Sequence, residues 1–200
     1  MKGSLIILAF FATGLLTGIF RWLPVGLQNS NASFYVLCLL MFSVGFSIGN
    51  NPKSFLQFKA SNLRLAFLPL MTIVGTWTGV IAVGLLMRNR SLADCLAVGS
   101  GFGYYSLSSI LITHYKGIEL GTIALLSNIM REVITLLFAP FILKYFGVLA
   151  PISAGGATTM DTTFPVIVHN SGSDYAIVSI YHGFIVDFSV PFLVTLFCSL

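Results

Sequence analysis

The sequence predicts an all-α integral membrane protein, a transporter-like helical bundle that contains two glycine-rich broken helices. Three observations carry this. Of 200 residues, 56% are hydrophobic and 8% charged, where a soluble domain carries roughly 25% charged residues. The apolar residues come in blocks near the ~20 residues that cross a hydrocarbon core, without the short alternating segments of a membrane β-barrel. Two of these blocks are interrupted by runs of glycine and hydroxyl residues, which unwind a helix. The net charge of +4 lies mostly on Lys and Arg between blocks, the signature of membrane orientation, so nucleic acid is not an expected partner.

Residues 1–90 read as a three-helix scaffold. Ser4 to Phe20 makes the first helix, with Arg21 and Trp22 as an interfacial stop. A signal peptide would need a small-x-small cleavage pattern after this run, and none follows. Ala32 to Gly49 makes the second helix, and Leu63 to Met87 the third, closed by Arg88 and Arg90. Lys53, Lys59 and Arg64 around the second loop favour the cytoplasm for it, which puts the N-terminus inside. Glycines four apart recur at Gly14 and Gly18, Gly45 and Gly49, and Gly75 and Gly79, a spacing that lets helix backbones pack closely. Cys38, Cys95 and Cys198 are scattered in apolar surroundings and read as small buried hydrophobes, not as a disulfide framework or metal site.

Residues 91–147 hold the first broken helix. Leu92 to Val98 runs into a stretch from Gly99 to Ser109 rich in glycine and serine, then Ile110 to His114. The apolar helix Thr122 to Tyr145 follows, with Asn128, Arg131 and Glu132 on one side near its middle. An acid and a base at that depth cost roughly 2.5–3.5 kcal/mol each, so they are expected to face a partner or a wet cavity. Residues 148–200 repeat the order: Ala150 to Ser153, a polar stretch to Thr163, Phe164 to His169, then the helix Tyr175 to Leu200 with His182, Asp187 and Pro191. Setting Gly101 on Gly156 also sets Ser108 on Thr163, His114 on His169, Gly117 on Gly172 and Glu132 on Asp187. Interrupted segments in matching positions of two halves point to a transporter's binding site. Short arms around a polar centre favour re-entrant hairpins, which gives five crossing helices, an inverted repeat and an outside C-terminus.

Irregular backbone at membrane depth survives where protein or a watery cavity surrounds it, so the two breaks are expected to meet beside the Glu132 helix. Their half-helix N-termini, around Gly101, Gly103, Gly155 and Gly156, would hold a carboxylate. Tyr105, Ser106, Ser108, Thr158, Thr159 and Thr162 would line the site. Glu132 and Asp161, with Arg131 and Asn128 beside them, would handle an ammonium group and a proton, and His182 and Asp187 take secondary places. Each has a plainer reading: Glu132 neutralising Arg131, Asp161 capping the next half-helix, Asp187 lining a crevice, His182 satisfied in the core. Tyr104 and Tyr105 either line the site or pack at the interface. Both poles suit a zwitterionic amino acid, and the surplus acid a cationic one.

Four motifs extend the reading. The run Ser100-Gly101-Phe102-Gly103-Tyr104-Tyr105-Ser106-Leu107-Ser108-Ser109 is followed by Asn128-x-x-Arg131-Glu132. Then come Gly156-Ala157-Thr158-Thr159-Met160-Asp161-x-Thr163-x-Pro165-Val166 and His182-Gly183-Phe184. In this order, over essentially the whole chain, they closely resemble the bacterial L-lysine exporter family LysO. The resemblance implies a multi-pass exporter of L-lysine in the bacterial inner membrane, driven by proton exchange, and combined with the cost of a buried acid it makes Glu132 the expected exchange site. No cofactor is implied; H+ is the expected coupling ion and Na+ the alternative. Family members carry extra helices ahead of the point where this chain begins, and the chain resembles their C-terminal two-thirds. The implied partners are therefore membrane lipid, the small-molecule substrate, a separate short membrane subunit supplying those helices, and a second copy of the chain. The family more often has an uncharged residue where this chain has Asp187, which makes that acid optional. A sodium- or proton-coupled transporter of another amino acid, organic acid or cation is a second reading. An intramembrane hydrolase, using Ser106 with a His or Asp161 with Asp187, is the third. It lacks a Gly-x-Ser-x-Gly elbow and protease-type glycine context, so the chain is not expected to be an enzyme.

Overall fold

A computed structural model of the chain describes residues 13–14, 16–20, 22, 63–86 and 90–200, and its regular elements are helices and helical turns. The expected helix Ala32 to Gly49, its glycine pair, Lys53, Lys59, Arg88 and Cys38 lie outside the described residues. After one helical turn at Leu63–Ala66, α1 runs Leu68–Gly84. Pro69 suits its first turn, where a missing N–H costs nothing. α2, Leu92–Gly99, starts at Ser91, whose hydroxyl accepts the Asp94 N–H at 3.0 Å. The chain leaves helical geometry at Ser100 and resumes it as α3, Tyr105–Lys116. This break is shorter than the glycine and serine run suggests. Ser108 and Ser109 turn their hydroxyls back onto the carbonyls of Tyr104 and Ser106, at 2.7 and 3.1 Å, and so stay in the helix.

Gly117 (φ +92) turns the chain directly into α4, Ile118–Phe146. α3 and α4 lie so close that a Cβ on Gly121 would fall 1.8 Å from Thr113 Oγ1. α5, Ala150–Gly155, passes into a 3-10 turn at Gly156–Met160. After Asp161 to Thr163 comes α6, Phe164–Ser171, and Gly172 (φ +98) leads through Ser173–Tyr175 into α7, Ala176–Cys198.

Among the described residues two stretches, Ile118–Phe146 and Ser173–Cys198, are long and apolar enough to cross a membrane. Their faces are arranged for lipid. α4 buries Gly121, Ala124, Asn128, Thr135 and Ala139 and exposes Leu126, Met130, Ile134, Phe138 and Phe141. α7 buries Ser179, His182, Gly183 and a Val186-Val190-Val194 stripe and exposes Phe184, Phe188, Phe192 and Leu196. Small and polar residues inside, large apolar ones outside, is the pattern of helices that pack by close approach in a membrane.

The ends of each broken segment lie together. Lys116 Nζ, at the end of α3, is 3.4 Å from Asp94 Oδ1 at the start of α2, and Arg90 pairs with Glu119 beside them. At the second segment, the Ser171 hydroxyl donates to the Val148 carbonyl at 3.0 Å. The two breaks also meet each other, with the Ala157 N–H donating to the Phe102 carbonyl at 2.9 Å.

Among the described residues a Cβ on Gly14, Gly18, Gly75 or Gly79 would meet nothing within 4 Å, and the second helix expected to pack with them lies outside the described residues. α1 meets α2 through Val80, 2.5 Å from a Cβ built on Gly99. Gly75 and Gly79 line a cavity of about 550 Å³ between α1, α2 and α4.

Gly156 has φ +63, and a Cβ on it would lie 2.1 Å from the Phe102 oxygen. Gly156→Ala is therefore expected to cost roughly 2–4 kcal/mol, from left-handed backbone plus overpacking. Gly172→Ala, with similar backbone in open space, should cost about 1–2 kcal/mol. Unfolding in detergent measures both, and equal losses would contradict the contact with Phe102.

Candidate functional site

Backbone groups in the two breaks have lost their helical partners, and at membrane depth they cannot turn to water. α4 supplies replacements. Asn128 is buried, and its Oδ1 accepts the Gly103 N–H at 2.7 Å. Its Nδ2 donates to the Ala124 carbonyl at 2.8 Å, with the Val98 carbonyl and Ser108 Oγ each 3.4 Å away. Gly101 must be small here, since a Cβ would stand 2.4 Å from Asn128 Nδ2. Nearly one turn further on, Arg131 serves the second segment. Its Nε donates to the Ala154 carbonyl at 2.8 Å, its Nη2 to the Ser153 carbonyl at 2.9 Å and its Nη1 to Thr76 Oγ1 at 3.3 Å. The guanidinium also lies 5.9 Å from the centre of the Phe102 ring. Ser153 and Ala154 lie in the last turn of α5, where a helix presents unpaired carbonyls and partial negative charge, so a cation fits. Glu132 is not what neutralises Arg131: among the described residues the ion pairs are Arg90–Glu119 and Lys116–Asp94.

Glu132, next in sequence, points elsewhere. Its carboxylate interacts with Thr162 and feels the charge of Asp161, which in turn is felt by Asp187. Tyr104 feels Asp187 and Asp161, and Tyr105 feels Glu132 and Asp161. Three carboxylates, from α4, the second break and α7, thus lie within electrostatic reach of the two tyrosines that open α3. Asp161 Oδ1 accepts both the Thr162 N–H and, at 3.2 Å, the Thr162 hydroxyl. The capping role expected for it is not observed, because α6 starts behind Thr163 without a side-chain cap. Among the described residues, no three His, Cys, Asp or Glu groups converge as metal ligands.

The remaining expected residues divide in two. Thr158 and Thr159 are buried within the second break, donating to the Gly155 and Gly156 carbonyls at 2.9 and 2.8 Å. Thr158 has thereby used its hydrogen, so Thr163 donates to it at 3.1 Å. Ser108 is likewise buried against α4, and Gly103, Gly155 and Gly156 serve the crossing itself. Tyr105 and Ser106 are exposed, and Thr162 reaches Glu132.

His182 is fully buried, with Nε2 2.9 Å from Thr72 Oγ1 and Nδ1 3.2 Å from Thr159 Oγ1. Thr159 gives its hydrogen to the Gly156 or Ser179 carbonyl, so Nδ1 must carry the ring proton and Nε2 accepts from Thr72. The result is a neutral ring satisfied at both nitrogens, and neither nitrogen is directed at Ser106. Thr72, Thr76 and the Phe102 carbonyl were absent from the sequence expectations. The one-turn spacing of Thr72 and Thr76 on an apolar helix is the signal that could reveal the first two.

These features define the class: a helical membrane protein with two broken segments crossing beside a polar helix. The chain belongs to the lysine exporter LysO family, whose model, described as lysine exporter LysO, matches residues 8–198. It is 33% identical over 170 residues to a lysine exporter LysO of Escherichia coli (strain K12), covering 85% of this chain and 56% of that one. A putative lysine exporter of Haemophilus influenzae is 31% identical over 170 residues, covering 85% of this chain and 86% of the relative. The chain thus spans little more than half the length of the Escherichia coli relative. No solved structure matches. The family is described as exporters, not enzymes.

Thr72→Val removes the hydrogen bond to buried His182 Nε2 and is expected to destabilise the protein by about 1–3 kcal/mol. Thermal unfolding in detergent checks this, and an unchanged midpoint would mean that Nε2 does not depend on Thr72.

Proposed function

We propose that this chain forms the translocation part of an inner-membrane L-lysine exporter, in which Glu132 alternately holds a proton and a substrate ammonium group. The observation that carries the reading is the convergence of Glu132, Asp161 and Asp187 on Tyr104 and Tyr105 beside the crossed breaks, in a chain of the LysO family. Lysine carries two ammonium groups and one carboxylate, so a space lined by three acids suits its excess positive charge. Carboxylates close together disfavour joint ionisation unless a cation sits among them. Lysine entering would therefore displace a proton, and a proton returning would displace lysine. Each inward proton is exchanged for an outward lysine, with H+ as the coupling ion. The start of α3 at Tyr105 has no side-chain cap, which leaves N–H groups for the substrate carboxylate.

In this reading both broken segments are re-entrant hairpins. The Asp94–Lys116 pair and the Ser171–Val148 bond support it, because each joins the start of a segment to its end. α4 and α7 then cross in opposite senses, making residues 92–146 and 150–198 an inverted repeat. Gly117 and Gly172, with φ +92 and +98, hold equivalent joints, and Glu132 and Asp187 equivalent places on the long helices. The N-terminus lies inside and the C-terminus outside. Movement of the crossed breaks relative to the rest of the protein opens the acidic space to each side in turn.

Reconstituted vesicles loaded with lysine test this. Efflux should accelerate with an inward proton gradient, ignore replacement of sodium, and fall at least about tenfold in Glu132→Gln. Efflux that is indifferent to the gradient, or intact in that variant, would overturn the exchange reading. Asp187→Asn is expected to keep its maximal rate within about threefold of the parent, and a loss as large as that of Glu132→Gln would make Asp187 an exchange group as well.

A further inference from the structure

We propose that Asn128 and Arg131 are positioning residues that fasten the two breaks to α4 as one moving unit, and that Arg131 does not read the substrate carboxylate. This rests on the reading of the acidic space as the transport site.

Most hydrogen-bonding groups of both side chains are already committed. Each nitrogen of the Arg131 guanidinium has a partner, which takes three of its five N–H groups, and two of the partners are carbonyls in the last turn of α5. The Phe102 ring lies within cation–π range of the guanidinium, and a Cβ placed on Gly156 would come 3.3 Å from Nε, so little room is left for a substrate group on that side. Asn128 spends its oxygen on Gly103 and its nitrogen on Ala124, within reach of Val98 and Ser108. One residue therefore holds each break, and the two stand three apart on the same side of α4. The breaks are joined directly by the Ala157 to Phe102 bond.

Independent motion of either break would orphan a buried backbone group at a depth without water. Motion of both breaks with α4, and with α7, which exchanges hydrogen bonds with Thr159 through Ser179 and His182, would orphan none of these groups. The links from this unit to α1 are of another kind: the 3.3 Å contact of Arg131 with Thr76, the 2.9 Å contact of His182 with Thr72 and the 3.0 Å bond from Trp77 Nε1 to Ser100, all made to hydroxyls. A cavity of about 310 Å³, lined by Met71, Thr72, Gly75, Thr76, Ser153 and Ala154, separates α1 from α5 there. The slip plane follows that boundary.

Lysine efflux kinetics in vesicles separate positioning from substrate binding. Arg131→Lys keeps the charge but cannot reproduce the guanidinium fork on two carbonyls. The expected result is a maximal rate at least about tenfold lower with KM within about twofold, while Thr76→Val stays within about threefold in both. A KM raised about tenfold or more with the rate retained would make Arg131 a substrate ligand and overturn the proposal. A second measurement leaves the chain unaltered: amide hydrogen exchange in vesicles, with and without saturating lysine. Peptides spanning residues 100–105 and 155–160 should change protection together, and a change confined to one of them would overturn the single unit. Glu132→Gln is the control for the parent reading. Normal efflux in it would sink the exchange site regardless of Arg131, whereas loss in it together with a KM effect in Arg131→Lys would sink only the positioning role.

Discussion

An interrupted chain in hydrocarbon must find protein partners for every backbone group that a helix would have satisfied, and the structure is organised around that constraint. The contact of the Ala157 N–H with the Phe102 carbonyl is where it acts most directly. Two interruptions laid across each other satisfy part of the need between themselves. The rest is met from α4 by one amide and one guanidinium. The glycines of the breaks follow from this crossing, because Gly101 and Gly156 have no room for a Cβ. The buried small residues of α4 and α7 follow as well, since a crossing this close requires long helices whose inward faces lack bulk.

Asn128, Arg131 and Glu132 sit within five positions of one another and do different work. A helix turns about 100° per residue, so adjacent side chains leave in different directions. Arg131 faces the carbonyls of α5, and Glu132 faces Thr162 and Asp161. The separation matters for any chemistry at Glu132. A carboxylate that carried the structural bonds could not change its charge without loosening the crossing. With the bonds assigned to Arg131 and Asn128, whose charge and polarity are fixed, Glu132 is free of them. His182 shows the same division, because its two nitrogens are satisfied in the neutral form and tie α7 to α1 and to the second break.

Much of this was legible in the sequence. The two interruptions, the polar face of α4 and the place of Glu132 in it came from apolar block length and the cost of a buried charge. The meeting of the breaks beside α4 followed from backbone satisfaction alone. The partners were not legible. Asn128, Arg131 and Glu132 read as one cluster because residue spacing shows a shared side of a helix but not which neighbour each side chain meets. Ser108, Thr158 and Thr159 read as lining groups because a hydroxyl run looks the same whether it faces a cavity or a carbonyl. Among the described residues, close approaches also fall on single glycines, Gly99, Gly121 and Gly183, that no four-residue spacing marks.

The two broken segments are closed by different forces. Where α2 begins and α3 ends, the closure is ionic, with Asp94 against Lys116 and Arg90 against Glu119. Where α5 begins and α6 ends, it is a neutral bond from Ser171 to a carbonyl. Ion pairs that reach solvent weaken as dissolved salt screens them, over a length of about 10 Å at 0.1 M, while a neutral hydrogen bond is nearly blind to salt. The two closures thus differ in sensitivity, one tuned by ionic strength and the other indifferent to it.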